Sequence, residues 1–353
     1  MTYKTIEIAQ NAYDKHTSIT QLDNYSGIIS LYGLARLWLW NRSDSLWDKL
    51  QKDMKPFVDG KITREMGAFK LYNIGGSAIA LLLRNGFFAD SAPLVMEKAN
   101  DLIENCPRSE EGIFSSQFWP ASQSWRIWID VAAAVSPFLV HAGVYFERKD
   151  WVEEAVEQTL KMIEIFRDQE NGLCHQSRGF CGEWQKEEDP MRFSEDHWSR
   201  GNGWGIFALT ELVRGLPQNH ERRNEIEKVF IDLLEACLNF QDENGMWHQE
   251  MTDFGSYVET SGSGKILYAL GVALQYKLVP TNYIERLKQG LEGYLTYISS
   301  DGSIKNTCTG VISPGMGTKA EYAAHPYETN NCHGFGPAIL AFGQAAELGI
   351  TSI

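Results

Sequence analysis

No apolar stretch in the 353 residues is long enough to cross a membrane, and the N-terminal residues lack the apolar centre of a secretion signal. Long basic runs are also missing, and the formal net charge is -14. Nucleic acid and anionic membrane surfaces are therefore excluded as partners. The six cysteines, Cys106, Cys174, Cys181, Cys237, Cys308 and Cys332, form no CxxC pair, so free buried thiols and a cytoplasmic location are expected. No Pro- or Ser-rich linker divides the chain, and one domain over residues 1–353 is expected. The GxSxG, P-loop and Rossmann signatures are absent. His197, His325 and His333 lack metal-ligand spacing, so no metal is indicated.

What is present is a repeat. An acidic or amide residue, a glycine and then an apolar residue recur at Asp59-Gly60, Glu111-Gly112, Asn171-Gly172, Asn244-Gly245 and Asp301-Gly302. Two copies extend further: residues 171–176 read NGLCHQ and 244–249 read NGMWHQ. Such dipeptides form turns, because glycine accepts positive φ at little cost. Most copies follow an amphipathic helical stretch, such as Trp151 to Phe166, Glu221 to Phe240 or Tyr283 to Ile298. Between them lie more apolar stretches: Ile28 to Trp40, Ser77 to Arg84, Ile129 to Tyr145, Trp204 to Val213, Gly264 to Gln275 and Pro337 to Leu348.

A helix apolar on most sides must be buried on most sides. Six pairs of one inner and one outer helix can close into a ring, an all-α (α/α)6 barrel; an open superhelix is the alternative. Aromatic and hydrogen-bonding residues crowd the inner-helix starts. They include Asp23 to Gly27, Tyr72 to Gly76, Ser124 to Asp130, Glu195 to Trp204, Tyr257 to Gly262 and Asn330 to Gly334. In a ring these starts meet at one mouth and make a concave site with an apolar floor. Eleven tryptophans suit a sugar cleft, since an indole face packs on the apolar face of a pyranose.

Asp130 is the informative carboxylate, because it lies in the otherwise apolar run Ile127 to Ala134. Placement in a helix first turn would explain it structurally. Burial would instead raise its pKa and suit it to general acid work near neutral pH. Arg200 opens Arg-Gly-Asn-Gly-Trp, where glycines let backbone approach a ligand and the guanidinium offers a fork for a carboxylate. His175 has a counterpart, His248, in the next repeat turn, and a hydrogen-bonded structural role is the plainer reading of either.

Several motifs together carry a resemblance: Trp128-Ile129-Asp130, Pro137-Phe138-Leu139, Trp198 to Trp204, Gly245 to Gln249, Glu259-Thr260-Ser261 and His333 to Gly336. Over nearly its whole length the chain resembles glycoside hydrolase family 105, the unsaturated rhamnogalacturonyl hydrolases. More distantly it resembles family 88, the unsaturated glucuronyl hydrolases. The resemblance implies the (α/α)6 barrel; no cofactor is expected. It implies removal of a 4,5-unsaturated uronic acid from the non-reducing end of an oligosaccharide left by a polysaccharide lyase. Asp130 would protonate the C4=C5 bond, water would add at C5, and the opened sugar would release its partner. The family's substrate contacts fall on Tyr25, His175, Arg200 and Trp204. Trp128 and Trp198 are further stacking candidates, and His333 joins the candidate binding residues.

One departure stands out. Similar enzymes carry a second Asp before the second inner helix, whereas Leu71 to Gly76 holds no carboxylate and Asn73 is the only candidate substitute. An amide can hydrogen-bond a sugar hydroxyl but cannot exchange a proton near pH 7. Val131 to Ala134 is also built of small residues, which would widen the pocket. Two other functions stay open at this stage. An isomerase or epimerase would need two basic histidines in one pocket, with His175 and His248 or His333 as candidates. A non-catalytic sugar-binding protein would need no acid.

Overall fold

A computed structural model of the chain describes residues 3–63, 68–182 and 191–353. Met1 and Thr2, the start of the expected domain, lie outside the described residues. Among these, thirteen α-helices are numbered in chain order. They begin α1 (Thr5–Ile19), α2 (Tyr25–Asn41), α3 (Asp44–Val58), α4 (Gly76–Arg84), α5 (Ala92–Asn105), α6 (Asp130–Tyr145) and α7 (Lys149–Phe166). They continue α8 (Ser199–Gly215), α9 (Arg223–Leu238), α10 (Thr260–Gln275), α11 (Tyr283–Leu295), α12 (Lys319–Ala323) and α13 (Cys332–Glu347).

Helices α2, α4, α6, α8, α10 and α13 each pack on the next, and α13 returns to α2. The ring is therefore closed, and the open superhelix is set aside. The other long helices lie outside it, α1 against α13 and α7 against α6. Their sequences explain the two layers. In α3 only Leu46, Leu50, Met54 and Phe57 are buried, a single stripe at helical spacing. In α8 every residue except Arg214 is buried.

The turns behave as the repeat predicts: Gly60, Gly112, Gly172, Gly245 and Gly302 all adopt φ between 66° and 86°. Two short antiparallel ribbons brace the mouth. Strand β1 (Ile127–Trp128) pairs with β2 (Ser177–Arg178), and β3 (Thr307–Cys308) pairs with β4 (Tyr327–Glu328). Toward the C-terminal halves of the inner helices the ring is filled by a polar cluster. Glu211 is buried there and accepts from Arg36 at 2.6 Å and from Tyr268 at 2.5 Å. No helix among the described residues is long and apolar enough to cross a membrane.

Residues 199–203 do not form a loop ahead of an inner helix, as their polarity suggested, but the first turn of α8 itself. Their glycines serve packing. A Cβ on Gly203 would lie 3.2 Å from the Gly262 Cα, and a Cβ on Gly262 would lie 2.3 Å from the Ser199 carbonyl carbon. The expectation that these glycines bring backbone to a ligand is corrected: Gly203 brings α8 against α10, and Gly201 packs against Trp198 and Gln176.

Candidate active site

A cavity of about 560 Å³ opens where the inner helices begin. Its walls are largely apolar, with Phe69, Phe118, Trp119, Trp128, Val311 and Ile312 among them. A narrow extension runs inward past Ile28, Ser77, Ala133 and Trp204. Tyr25, Tyr72, Asp130 and Ala134 line both parts, so Asp130 stands at their junction. Helix α6 begins at Asp130. The β1–β2 ribbon ends one residue before Ile129, whose N–H donates to the Gln176 carbonyl at 2.9 Å. That anchor fixes where the carboxyl emerges.

Asp130 Oδ2 is buried and has no hydrogen-bond partner. Leaving a buried acceptor unpaired costs roughly 1–3 kcal/mol, so the arrangement needs a reason beyond stability. Burial pushes the carboxyl up to about 7, against the pull of Arg200 and Lys265. A protonated carboxyl near neutral pH, facing a cavity, is equipped to give a proton to a bound molecule.

Tyr25 opens α2, and its hydroxyl meets His333 Nε2. His333 Nδ1 lies 2.6 Å from Asn331 Oδ1, and burial holds this imidazole well below its ordinary pKa. It is therefore neutral and positions the tyrosine. Trp128 presents its ring to the cavity beside Trp119, with ring centroids 5.0 Å apart. Trp204 lines the inner extension, and its buried Nε1 has no partner.

Other expected residues sit elsewhere. Trp198 is 1% exposed, donates from Nε1 to Gln249 Oε1 at 3.0 Å and packs with Tyr322, away from the cavity lining. Asn73 lies in the 3-10 turn Lys70–Ile74, but Tyr72, not Asn73, lines the cavity. His175 also faces away. Its Nδ1 meets the Asp196 carbonyl at 2.9 Å, while its neighbour Gln176 turns inward and donates to the carbonyl of Val311, a cavity residue. The second NGxxHQ copy repeats the pattern: His248 Nδ1 meets the Ser256 carbonyl, while buried Gln249 reaches Tyr322 O. In both copies alternation in an extended segment sends the histidine out and the glutamine in.

Arg200 is 1% exposed. Its Nε donates to Ser261 Oγ at 2.8 Å, and its other nitrogens reach the carbonyls of Cys308 and Thr309. The fork that sequence offered to a ligand carboxylate is thus spent holding the loop before Gly310. Glu259, 3.8 Å from Arg200 Nη2, caps α10 through the N–H groups of Ser261 and Gly262.

Sequence reading missed Lys265. It is fully buried in α10, with its ammonium 3.7 Å from the Trp204 ring centroid and 3.3 Å from the Ser261 carbonyl. Burial and the Arg200 charge pull its pKa down to about 7, while Glu259 and Asp130 hold it up. A lone lysine inside the apolar stretch Gly264 to Gln275 was the available signal. The expected absence of metal ligands was also drawn from spacing alone. In space, ligand atoms of Asp168, His175 and His197 lie within 4.8 Å of one another.

A helical ring with an aromatic cavity and a buried acid whose Oδ2 is unpaired is the form of a small-molecule site with a proton donor in it. Residues 3–348 match the family described as Glycosyl Hydrolase Family 88, and the chain belongs to it; it is a glycosidase. It is 24% identical over 322 residues to the unsaturated rhamnogalacturonyl hydrolase YesR of Bacillus subtilis, covering 90% of this chain and 87% of that protein. In fold it is similar to a family 105 glycoside hydrolase of C. acetobutylicum, with a TM-score of 0.81 and 22% identity over 96% of this chain and 99% of that one. The unsaturated glucuronyl hydrolase of Bacillus sp. GL1 gives a TM-score of 0.70 at 14% identity, covering 98% and 96% of the two chains.

Proposed function

We propose that this glycosidase hydrates the C4=C5 bond of a 4,5-unsaturated uronic acid at the non-reducing end of a lyase-generated oligosaccharide. One observation carries the proposal: Asp130 Oδ2, partnerless and held near pKa 7, at the junction of an aromatic cavity and its inner extension. The Asp130 carboxyl gives its proton to C4. A water molecule adds at C5, and the carboxylate takes up the proton that this water loses. The C5 hemiketal then opens by breaking its bond to the ring oxygen, and the exposed C1 hemiacetal releases the partner sugar as an alcohol. One carboxyl serves both proton transfers, so the absence of a carboxylate at Asn73 does not interrupt the cycle.

The uronate carboxylate needs positive potential, and the net charge of -14 does not supply it. Arg200 and Lys265 provide it from beneath the cavity wall, acting through their charges, while the hydroxyls of Tyr25 and Tyr72 offer direct contacts. Trp128 and Trp119 supply the stacking surface for the adjoining sugar. The isomerase alternative loses its histidine pair, since neither His175 nor His248 lines the cavity.

Unsaturated disaccharides from pectin, ulvan and glycosaminoglycans test the proposal. Loss of the ultraviolet absorbance of the conjugated alkene on at least one is the expected result. Unchanged absorbance across the whole panel, or turnover of saturated monosaccharides instead, would refute it.

A further inference from the structure

We propose that Asp168, His175 and His197 form a binding site for one zinc ion or a similar borderline divalent cation. The site is separate from the cavity that holds Asp130, and it locks the segment leading into α8.

Two segments supply the three donors. Asp168 follows α7 in the Asn171-Gly172 turn, His175 ends that turn, and His197 lies two residues before α8. His197 Nε2 stands 2.8 Å from Asp168 Oδ2, and the imidazoles of His175 and His197 have centroids 5.2 Å apart. Bonds of about 2.0–2.2 Å to tetrahedral zinc set ligand atoms roughly 3.3 Å apart, so His175 would close in from within 4.8 Å while the 2.8 Å Asp168–His197 pair opens slightly.

The partners behind the ligands favour a metal over a chance cluster. His175 Nδ1 faces the Asp196 carbonyl at 2.9 Å. A carbonyl only accepts, so Nδ1 carries the proton and Nε2 presents a lone pair. His197 Nδ1 faces Glu250 Oε1 at 3.5 Å, and Glu250 is itself buried and fixed by the His197 N–H at 2.6 Å and Thr252 Oγ1 at 2.7 Å. A histidine that gives Nδ1–H to a carbonyl or carboxylate and turns Nε2 to a ligand is the arrangement that orients imidazoles on metals. His175 shows it; His197 Nδ1 is buried 3.5 Å from the Glu250 carboxylate without a hydrogen bond, and a short approach would complete the same arrangement. Two imidazoles and one carboxylate suit zinc, cobalt or nickel and not magnesium or calcium. Asn171 Nδ2 bridges Asp168 Oδ2 and His197 Nε2 at 3.0 Å each, and a cation would displace this amide.

The consequence is mechanical. The ion would join the turn after α7 to residues 195–198, and thus to the start of the helix that carries Arg200 and Trp204. Its effect is on stability, so it stands apart from the proposed reaction.

The test is calorimetric titration of chelator-stripped full-length protein with zinc chloride, with cobalt absorption as the second readout. One equivalent bound per chain is expected, with ligand-field bands of a nitrogen–oxygen site and a Tm rise of a few degrees at about 100-fold excess over Kd. His175→Ala should weaken binding at least ~10-fold while circular dichroism stays unchanged. His248→Ala, the matching residue of the next repeat, should bind as the parent does. Asn171→Ala should bind at least as tightly as the parent. Absence of a stoichiometric site, or binding indifferent to both His175→Ala and His197→Gln, would overturn the proposal. Should His197→Gln fail to fold, His175→Ala decides alone.

Discussion

Asp130 faces the cavity and Lys265 lies fully buried against Trp204, and each shifts the other's charge. Asp130→Asn keeps the shape and removes the proton. Activity is expected to fall by roughly 10²–10⁴-fold, measured as kcat/KM, with helical content unchanged. The parent's activity should decline as pH rises through about 7, where Asp130 loses the proton it must donate. Stability carries the same sign. A folded-state pKa above the unfolded value contributes stabilisation that is complete in acid and is lost as pH rises through about 7. The asparagine variant escapes that loss. Its Tm relative to the parent should therefore climb between pH 6 and pH 8, and a constant difference would show that the carboxyl is not buried as described. Lys265→Met isolates the second charge. Without the nearby ammonium the Asp130 carboxyl keeps its proton longer, so the alkaline limb of the pH–rate profile should move up by about 1 unit.

Among the elements, the contact between α8 and α10 is the least forgiving. A Cβ on Gly262 would meet the Ser199 carbonyl carbon and oxygen at 2.3 and 2.5 Å, and backbone cannot swing aside as a side chain can. Gly262→Ala should cost about 1–3 kcal/mol, read as a lower urea midpoint at unchanged m-value. Activity should fall with it, because Arg200 and Glu259 meet across this contact. The same contact shows what sequence could and could not reveal. The turn glycines, the six apolar helices and Asp130 at the start of α6 were legible, because each is a local signal of composition and period. The first turns of α8 and α10 read as loops, since Gly-Asn-Gly and Ser-Gly-Ser have low helix propensity and are helical here through burial. Lateral relations were not legible at all. Nothing local says that Arg200 spends its donors on Cys308 and Thr309, more than a hundred residues away. Nor does it say that His175 turns outward while Gln176 turns in.

At the scale of the whole molecule, charge and site oppose each other. The net charge is -14, and the proposed substrate is an anion that must cross that field to reach a mouth walled by aromatic and aliphatic groups. The long-range repulsion acts through solvent and decays over about 8 Å at physiological salt, against about 30 Å at 0.01 M. Arg200 and Lys265 are buried beneath the site, so their attraction for the bound uronate is screened far less than the surface charges that repel it. Raising salt from about 0.01 to 0.15 M should therefore increase kcat/KM, chiefly through faster association and lower KM, with kcat little changed. Stopped-flow or initial-rate measurements across that range check it. A fall in kcat/KM would mean instead that exposed cations guide the substrate, and the electrostatics of the cavity would have to be reassigned from the buried pair to the rim.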